Sequence, residues 1–435
     1  MDSSKEAPPS DRFVVVGAGI IGAACALRLQ EAGHTVHLLD VAGAGRGCSY
    51  GNAGLIAIDH IAPLASPATL RALPALMLDR SSPLFLRLAG LPGMAAWLGA
   101  FVRASSRARF EHGAAALASL LGAARTAWQS LAKIADAQAL FRDSGVLYVY
   151  EQAPRGVNAG DRLLHEYGVQ FEEISPARVT ADFLPQLAVP CARARYFPQM
   201  MSVVDPHALV TTLVTAAERM GAVHTRAQVL AIEHTNGRAT QVITSQGAIP
   251  CTGVLVCAGV DSAALIEPLG YRVPLARERG YHVELDDFGA TDIRLPITFV
   301  ERGFICNPMR SAIRLAGTVE LGAASEPDWR RAALLTKHFR ELFKPASPRE
   351  LSCWSGDRPT LPDYLPMIGA LPSHSNVFAA TGHQHLGLTL AAITAELVRA
   401  LVDGAPETLD PALDLTPFRI DRFGHIGLST RRRNP

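Results

Sequence analysis

Of 435 residues only seven are cysteine (Cys25, Cys48, Cys191, Cys251, Cys257, Cys306 and Cys353), and none forms a C-x-x-C pair. Their scatter argues against a thiolate zinc site and a disulfide scaffold, and it favours a reducing, cytoplasmic compartment. No metal is expected. Charge of one sign is lacking too: 41 Lys and Arg face 40 Asp and Glu, a formal net charge of +1. That balance leaves no electrostatic footprint for nucleic acid. The one basic run, Arg431-Arg-Arg433, reads as a solvated terminus. Long apolar runs are also missing. Phe13–Leu27 and Leu88–Val102 are the longest without charge, and both fall short of the roughly 18 residues of a spanning helix. The latter run carries Leu91, Met94, Trp97, Leu98 and Phe101 between Arg87 and Arg103. It is expected to be a buried or lid helix, with peripheral contact to the inner membrane face as the rival reading. Met1–Ser10 is short, polar and contains proline, so it reads as a loose extension rather than a leader. There is no internal repeat and no low-complexity segment.

What the chain does have begins at Arg12-Phe-Val-Val-Val-Gly-Ala-Gly-Ile-Ile-Gly22. A β-branched run leads into G-x-G-x-x-G and then into an Ala-rich helical stretch, and Val36-His-Leu-Leu-Asp40 follows as a second strand. The acid comes about 20 residues after the glycines, the spacing of a dinucleotide-binding βαβ unit. Gly17 permits the tight turn, Gly19 lets backbone approach a pyrophosphate, and Gly22 lets helix pack on strand. Ile20 and Ile21 open the helix, whose first N–H groups and partial positive charge suit phosphates. Asp40 is expected to accept hydrogen bonds from ribose hydroxyls and to disfavour a 2′-phosphate.

Gly43–Gly54 is too glycine-rich for helix or strand and reads as an ordered loop where backbone must come close to something. Helices are expected over Pro67–Leu78 and, as one long Ala/Leu stretch, from about Met94 to Ala137. Ser175-Pro and Asp205-Pro each pair an N-cap with a proline at the first helical position. Short strands are expected at Ala222–Thr225, Val229–Glu233 and Gln241–Thr244, then a buried one at Gly253-Val-Leu-Val-Cys-Ala-Gly259. Asn376–Gly387 reads as strand, glycine turn and helix. The nucleotide sheet is thus assembled from distant pieces, an order more typical of flavin enzymes than of a contiguous nicotinamide domain.

Four blocks resemble the FAD-dependent D-amino acid oxidase and dehydrogenase superfamily, which includes glycine and sarcosine oxidases. They are Gly17–Gly22 with Asp40; Ser49-Tyr-Gly-Asn-Ala-Gly54; Trp354-Ser-Gly-Asp-Arg-Pro-Thr-Leu-Pro-Asp363 with Pro366-Met-Ile-Gly369; and Thr381-Gly-His-Gln-His-Leu-Gly-Leu-Thr389. The Ser49–Gly54 block is most similar to bacterial D-amino acid dehydrogenases of the small-subunit type. The resemblance runs from Arg12 to about Asp403. It implies an α/β fold: a discontinuous Rossmann-like FAD-binding domain (11–65, 140–270 and 350–403) and a mixed-sheet α+β substrate domain (271–349). A helical insertion (66–139) would separate them. Gly17, Gly19, Gly22 and Asp40 would hold the ADP half of FAD, Val229 would contact adenine, and Ala258 and Gly259 would lie beside the pyrophosphate. Ser49, Tyr50, Asn52 and Gly54 would line the flavin. Gly382, Leu386, Gly387 and Thr389 would close over its pyrimidine, with a helix N-terminus stabilising negative charge on the reduced ring.

Arg358 is the expected carboxylate anchor, since a guanidinium grips a carboxylate bidentately; a surface ion pair is the alternative. Tyr281 is a further candidate contact for the carboxylate or amine, with a core tyrosine as the alternative, and His282 is expected to be structural or outward-facing on the alternate strand face. His383 is placed at the pocket, and the roles of His60 and His385 are left open. Asp357 stands where the family often has an apolar residue and is expected to neutralise or orient Arg358. Cys353 lies near the position where sarcosine oxidases tether flavin, but the following residues differ, so noncovalent FAD is expected. The implied reaction takes a hydride from the α-carbon of a D-amino or cyclic D-imino acid to flavin N5, without a dedicated base. His383-Gln384-His385 and Ile61-Ala-Pro63 resemble a branch linked to cis-4-hydroxy-D-proline or D-proline. Alternatives are a broad D-amino acid dehydrogenase, a glycine- or sarcosine-type amine oxidase, a noncatalytic FAD-binding subunit and a nicotinamide dehydrogenase. Oxygen or a quinone would reoxidise the flavin, and oligomerisation is open.

Overall fold

The computed structural model describes residues 12–78, 83–87, 90, 92–153, 159–286, 293–322, 326–343 and 348–426. Leu91, the terminal extension and the Arg431–Arg433 run lie outside them. A six-stranded sheet centres on Arg12–Val16. Thr35–Asp40 and then Val223–Arg226 lie on one side, and Gly253–Val256, Val377–Thr381 and Met367–Ala370 on the other. All neighbours are parallel except the last pair. Alternation along the first strand sends Phe13 and Val15 into a core with the helices Ile20–Glu31, Arg107–Ala135, Pro206–Arg219 and Gly387–Val402. Val14 and Val16 face Ile232, Ala239 and Val242 of a three-stranded antiparallel sheet. Covered on both faces, the central strands read as unbroken apolar runs.

A nine-stranded mixed sheet forms the other layer system. Glu350–Thr360 forms one edge, and beside it Ala276–Leu285 pairs antiparallel with it and with Ile313–Leu321. Val146–Tyr150, Glu172–Ile174 and Arg193–Phe197 also belong to it. The expected boundaries 140–270 and 350–403 had assigned these strands and Glu350–Thr360 to the nucleotide domain. Alternation shows that a segment is a strand but not which sheet it joins.

The long Ala/Leu stretch is two helices, Ala95–Ala104 and Arg107–Ala135. Ser106 between them is extended, and the Ser105 hydroxyl joins its own N–H in donating to the Phe101 carbonyl, which closes the first helix. Trp97 and Phe101 are buried beside Tyr364, and the Trp97 indole N–H donates to the Thr360 carbonyl at 3.2 Å. The two aromatics of the membrane-contact reading therefore face inward. Gln384–Val402 is long and apolar enough to cross a membrane, and 67% of it is buried in the protein.

Candidate active site

The glycine turn is built around close approach. Gly17 has φ +104°, and a Cβ there would overlap the Cys257 carbonyl. A Cβ on Gly22 would overlap the Gly17 carbonyl. Asp40 holds the turn: its Oδ2 accepts the Ala18 N–H at 2.8 Å, and Oδ1 accepts those of Ala42 and Gly43 at 2.8 and 2.9 Å. With three backbone donors engaged, Oδ2 keeps one lone pair for a ribose hydroxyl. Ile20 does not offer its N–H, which goes to Ser49 Oγ at 2.9 Å. Ser49 therefore sits at the phosphate end rather than along the flavin. The N–H groups of Ile21 and Gly22, in the first helical turn, have no intrahelical acceptor. Gly259 completes the cradle. It has φ +58°, its carbonyl takes the Thr381 hydroxyl at 3.0 Å, and no atom lies within 4 Å of where a Cβ would stand. Val229 begins the three-stranded sheet opposite Thr244, and nearby Ala227 donates to the Asp40 carbonyl at 3.0 Å. Open ground at Gly259, two spare helix donors and the spare Asp40 lone pair fit the ADP half of FAD.

The Tyr50–Gly54 loop is pinned by Arg314 and Asn307 from neighbouring strands and by Asn52 of its own. Arg314, buried, donates to the Tyr50 and Asn52 carbonyls at 3.2 and 2.8 Å. Asn52 Oδ1 accepts the Gly54 N–H at 2.8 Å, so this side chain shapes the turn rather than reaching for a ring. Gly54 has φ +78°, and a Cβ would sit 2.6 Å from the Val203 carbonyl. Asn307 Nδ2 donates to the Ala53 carbonyl at 2.8 Å, while its Oδ1 is buried without a partner. The Trp354 ring lies where a Cβ on Gly51 would be, stacked on His282 at 5.3 Å and 6.4 Å from Tyr50.

Strand parity selects the structural alternative for both Tyr281 and His282. His282 faces the loop, with Nδ1 3.2 Å from the Gly51 carbonyl, and burial followed by the Arg314 charge lowers its pKa to about 4. Tyr281 faces the opposite side. It donates to Glu320 Oε2 at 2.6 Å and accepts the Asp328 N–H at 2.8 Å, and burial with the Glu320 bond raises its pKa to about 12. Tyr281 is a core residue in a closed hydrogen-bond pair, not a substrate contact.

The C-terminal turn is also more structural than expected. His383 Nε2 lies 3.0 Å from the Thr394 hydroxyl on its own helix, and burial lowers its pKa to about 3. Leu386 is in the core, and Thr389 Oγ1 accepts the Ala57 N–H at 3.0 Å. Gly382 has φ +78° and packs on Leu361. These residues set the position of the helix. Its first turn, from Gly387, has no side-chain cap and so keeps backbone N–H groups for a ligand.

Arg358 lies on Glu350–Thr360, flat over Gly280 of the neighbouring strand, where a Cβ would stand 2.6 Å from its Nη2. Nη1 pairs with Glu278 Oε1 at 3.1 Å, and Glu278, 1% exposed, also accepts the Thr360 and Tyr364 hydroxyls at 3.2 and 3.0 Å. Asp357, on the other face, pairs with Arg279 at 2.9 Å and does not neutralise Arg358. Arg358 keeps most of its five donors for another anion. Its charge reaches Cys48, whose pKa burial raises against that pull, and His385, lowered by burial first and then by His60 and Arg358. His385 Nε2 lies 3.1 Å from His60 Nδ1. His385, not His383, thus shares the Arg358 neighbourhood. Glu278 and Trp354 were not singled out from the sequence as site residues. Among the described residues no three side chains make a metal site.

The sequence profile of the DAO family, FAD dependent oxidoreductase, matches residues 12–401. The chain belongs to this family of FAD-dependent oxidoreductases. A D-amino-acid oxidase from Bradyrhizobium diazoefficiens is 32% identical over 431 residues, covering 96% of this chain and 100% of the relative. A D-amino acid dehydrogenase from Paramagnetospirillum magneticum is 29% identical, covering 95% and 99%. In fold the chain resembles glycine oxidase from Geobacillus kaustophilus (TM-score 0.72, 21% identity, 96% and 100% covered). It also resembles L-proline dehydrogenase from P. horikoshii (TM-score 0.71, 15% identity, 96% and 98% covered). The DAO-family membership confirms the expected flavoprotein fold and the FAD cofactor and sets the nicotinamide reading aside.

Proposed function

We propose that this DAO-family enzyme oxidises a D-amino acid at its α-carbon, with Arg358 as the carboxylate anchor and FAD held noncovalently. The observation that carries this reading is Arg358 itself: held by a buried acid, laid over Gly280, and set between the loop at Cys48 and the turn at His385. Glu278 fixes the guanidinium in one direction and leaves its outer donors for the substrate. Gly280 allows that flat placement. Burial of the neighbouring groups excludes water and strengthens the charge interaction. Bound FAD supplies the acceptor for two electrons and the α-hydrogen.

Within the class, cyclic D-imino acids, D-proline and cis-4-hydroxy-D-proline, come first, on the resemblance carried by His383–His385 and Ile61–Pro63. A broad acyclic range is the alternative reading, supported by the names of the curated relatives. Anaerobic mixing with cis-4-hydroxy-D-proline, D-proline, D-alanine and sarcosine, read at the flavin band of about 450 nm, ranks these substrates. Fastest bleaching by the ring compounds is expected. Preference for D-alanine selects the broad reading, preference for sarcosine selects a secondary-amine oxidase, and no bleaching leaves a noncatalytic FAD-binding protein. Reoxidation by air against a soluble quinone then assigns the acceptor.

A further inference from the structure

A chain of titratable groups leads away from Arg358, and the positioning of a carboxylate does not use it. His385, in the turn before the C-terminal helix, has Nε2 3.1 Å from His60 Nδ1, the rings edge to face at 5.1 Å. The other nitrogen of His60, Nε2, lies 3.3 Å from the Tyr148 hydroxyl and 4.0 Å from Asp59 Oδ1. The Asp59 side chain is 5% exposed, and that Oδ1 has no hydrogen-bond partner. His60 is 34% exposed, so the chain opens to solvent at that end. Three segments far apart in sequence, Asp59–His60, Val146–Tyr150 and Gln384–Leu386, converge to make it. A buried carboxylate oxygen left unpaired is costly unless a donor arrives. An imidazolium at His60 is such a donor.

We propose that His385 and His60 form a proton relay that takes the ammonium proton of the substrate and delivers it past Asp59 to solvent. This rests on the amino acid reading above. An amino acid arrives as an ammonium, and its nitrogen must regain a lone pair before the α-carbon gives up a hydride. One N–H proton passes to His385 and His385 hands a proton to His60. There Asp59 stabilises the imidazolium until the proton leaves to water. The N–H bonding pair stays on nitrogen, and no electrons leave the substrate in this step.

The charged and titratable groups around the pair act in the same direction. Burial first, then His60 and Arg358, disfavour a proton resting on His385, so that ring passes the proton on. Tyr148, its pKa raised by burial and then by Asp59, stays a neutral hydroxyl. Tyr150 lies farther along the same strand and acts on Tyr148 only weakly. Cys48, raised by burial, stays a neutral thiol. Asp59 is the one anion facing His60 among the described residues.

The test compares wild type with His60→Gln, His385→Asn and Asp59→Asn, all as FAD-loaded enzyme, over pH 5 to about 10. Wild-type kcat/KM should level off in the neutral range. In the two histidine variants it should fall about a hundredfold at neutral pH, keep rising with unit slope toward the ammonium pKa of the substrate, and be rescued by added imidazole. Propionate affinity, read from the flavin spectrum, should stay at the wild-type value and certify the fold. Independently of turnover, histidine NMR of the loaded enzyme should show the two rings taking up one proton between them, later in Asp59→Asn than in wild type. Variants that retain the wild-type profile, or rings that titrate separately, overturn the relay. A wild type bleached by no amino acid overturns the substrate reading instead, and the NMR titration then still decides whether the pair shares a proton.

Discussion

Replacing Arg358 by alanine removes two interactions at once, and a further substitution separates them. The first is the ion pair to Glu278, an acid 1% exposed that also accepts the Thr360 and Tyr364 hydroxyls. Breaking a buried pair by removing one partner costs about 3–5 kcal/mol. Arg358 is 25% exposed, so the lower end applies, and the variant should melt several degrees below wild type. The other interaction is the charge-assisted bond to the substrate carboxylate, worth roughly 1.5–3 kcal/mol, or about tenfold to a hundredfold in kcat/KM. In Glu278→Gln/Arg358→Ala the stranded charge is gone. Thermal melts should recover most of the loss while kcat/KM stays low, chiefly through KM. Glu278→Gln alone keeps the guanidinium and should stay within a few-fold of wild type. A double variant that regains both the melting temperature and the wild-type KM would show that Arg358 is only a counterion.

Gly259→Ala should fold with about 1–2 kcal/mol of strain from its φ of +58°, yet bind FAD markedly less tightly, because its methyl enters open ground. An unchanged FAD Kd by fluorescence titration removes Gly259 from the cradle. Tyr281→Phe should cost about 1–3 kcal/mol of stability by leaving Glu320 Oε2 and the Asp328 N–H without their hydroxyl partner and leave KM unaltered; a raised KM would return Tyr281 to the pocket. His282 and His383 have folded pKa values of about 4 and about 3, below the ordinary 6.5. The unfolded chain therefore binds the extra protons as pH drops below 6.5. Their contribution is complete above that value and lost as pH falls from 6.5 to about 4 for His282 and to about 3 for His383, by several kcal/mol together. Melts at pH 5 and 7 check this, and His383→Gln should flatten the difference.

The nucleotide half was legible because its signals are local. Gly17, Gly22 and Asp40 lie within one βαβ unit, and backbone contact dictates their identity. Asp205 and Ser175 were legible for the same reason: each caps a helix within three residues, accepting from Ala208 and Arg178. What was lost depends on pairing across long separations. The faces of Tyr281 and His282 stayed open because alternation gives parity only relative to a neighbour, and the neighbours Trp354 and Glu320 come much later in the chain. Asp357 was credited with orienting Arg358 because it is adjacent, yet adjacent strand residues point apart. Glu278 reaches that guanidinium across the ladder instead. His385 was harder to separate from His383, since a short turn offers no period to count.

The central sheet draws its strands from residues 12–40, 223–256 and 367–381. Each closure spans a hundred residues or more, and such distant pairings are slow and are reached only after the intervening chain exists. During synthesis the first strand emerges early but lacks a neighbour on one side until Gly253–Val256 arrives, and the edge is finished only by Val377–Thr381. A nascent chain therefore cannot complete this sheet until residue 381 has emerged. Truncation upstream of residue 381 should yield an exposed, sticky parallel edge rather than a smaller working enzyme. Completion of the cofactor sheet is thus timed by the Val377–Thr381 strand rather than by the glycine turn that opens it.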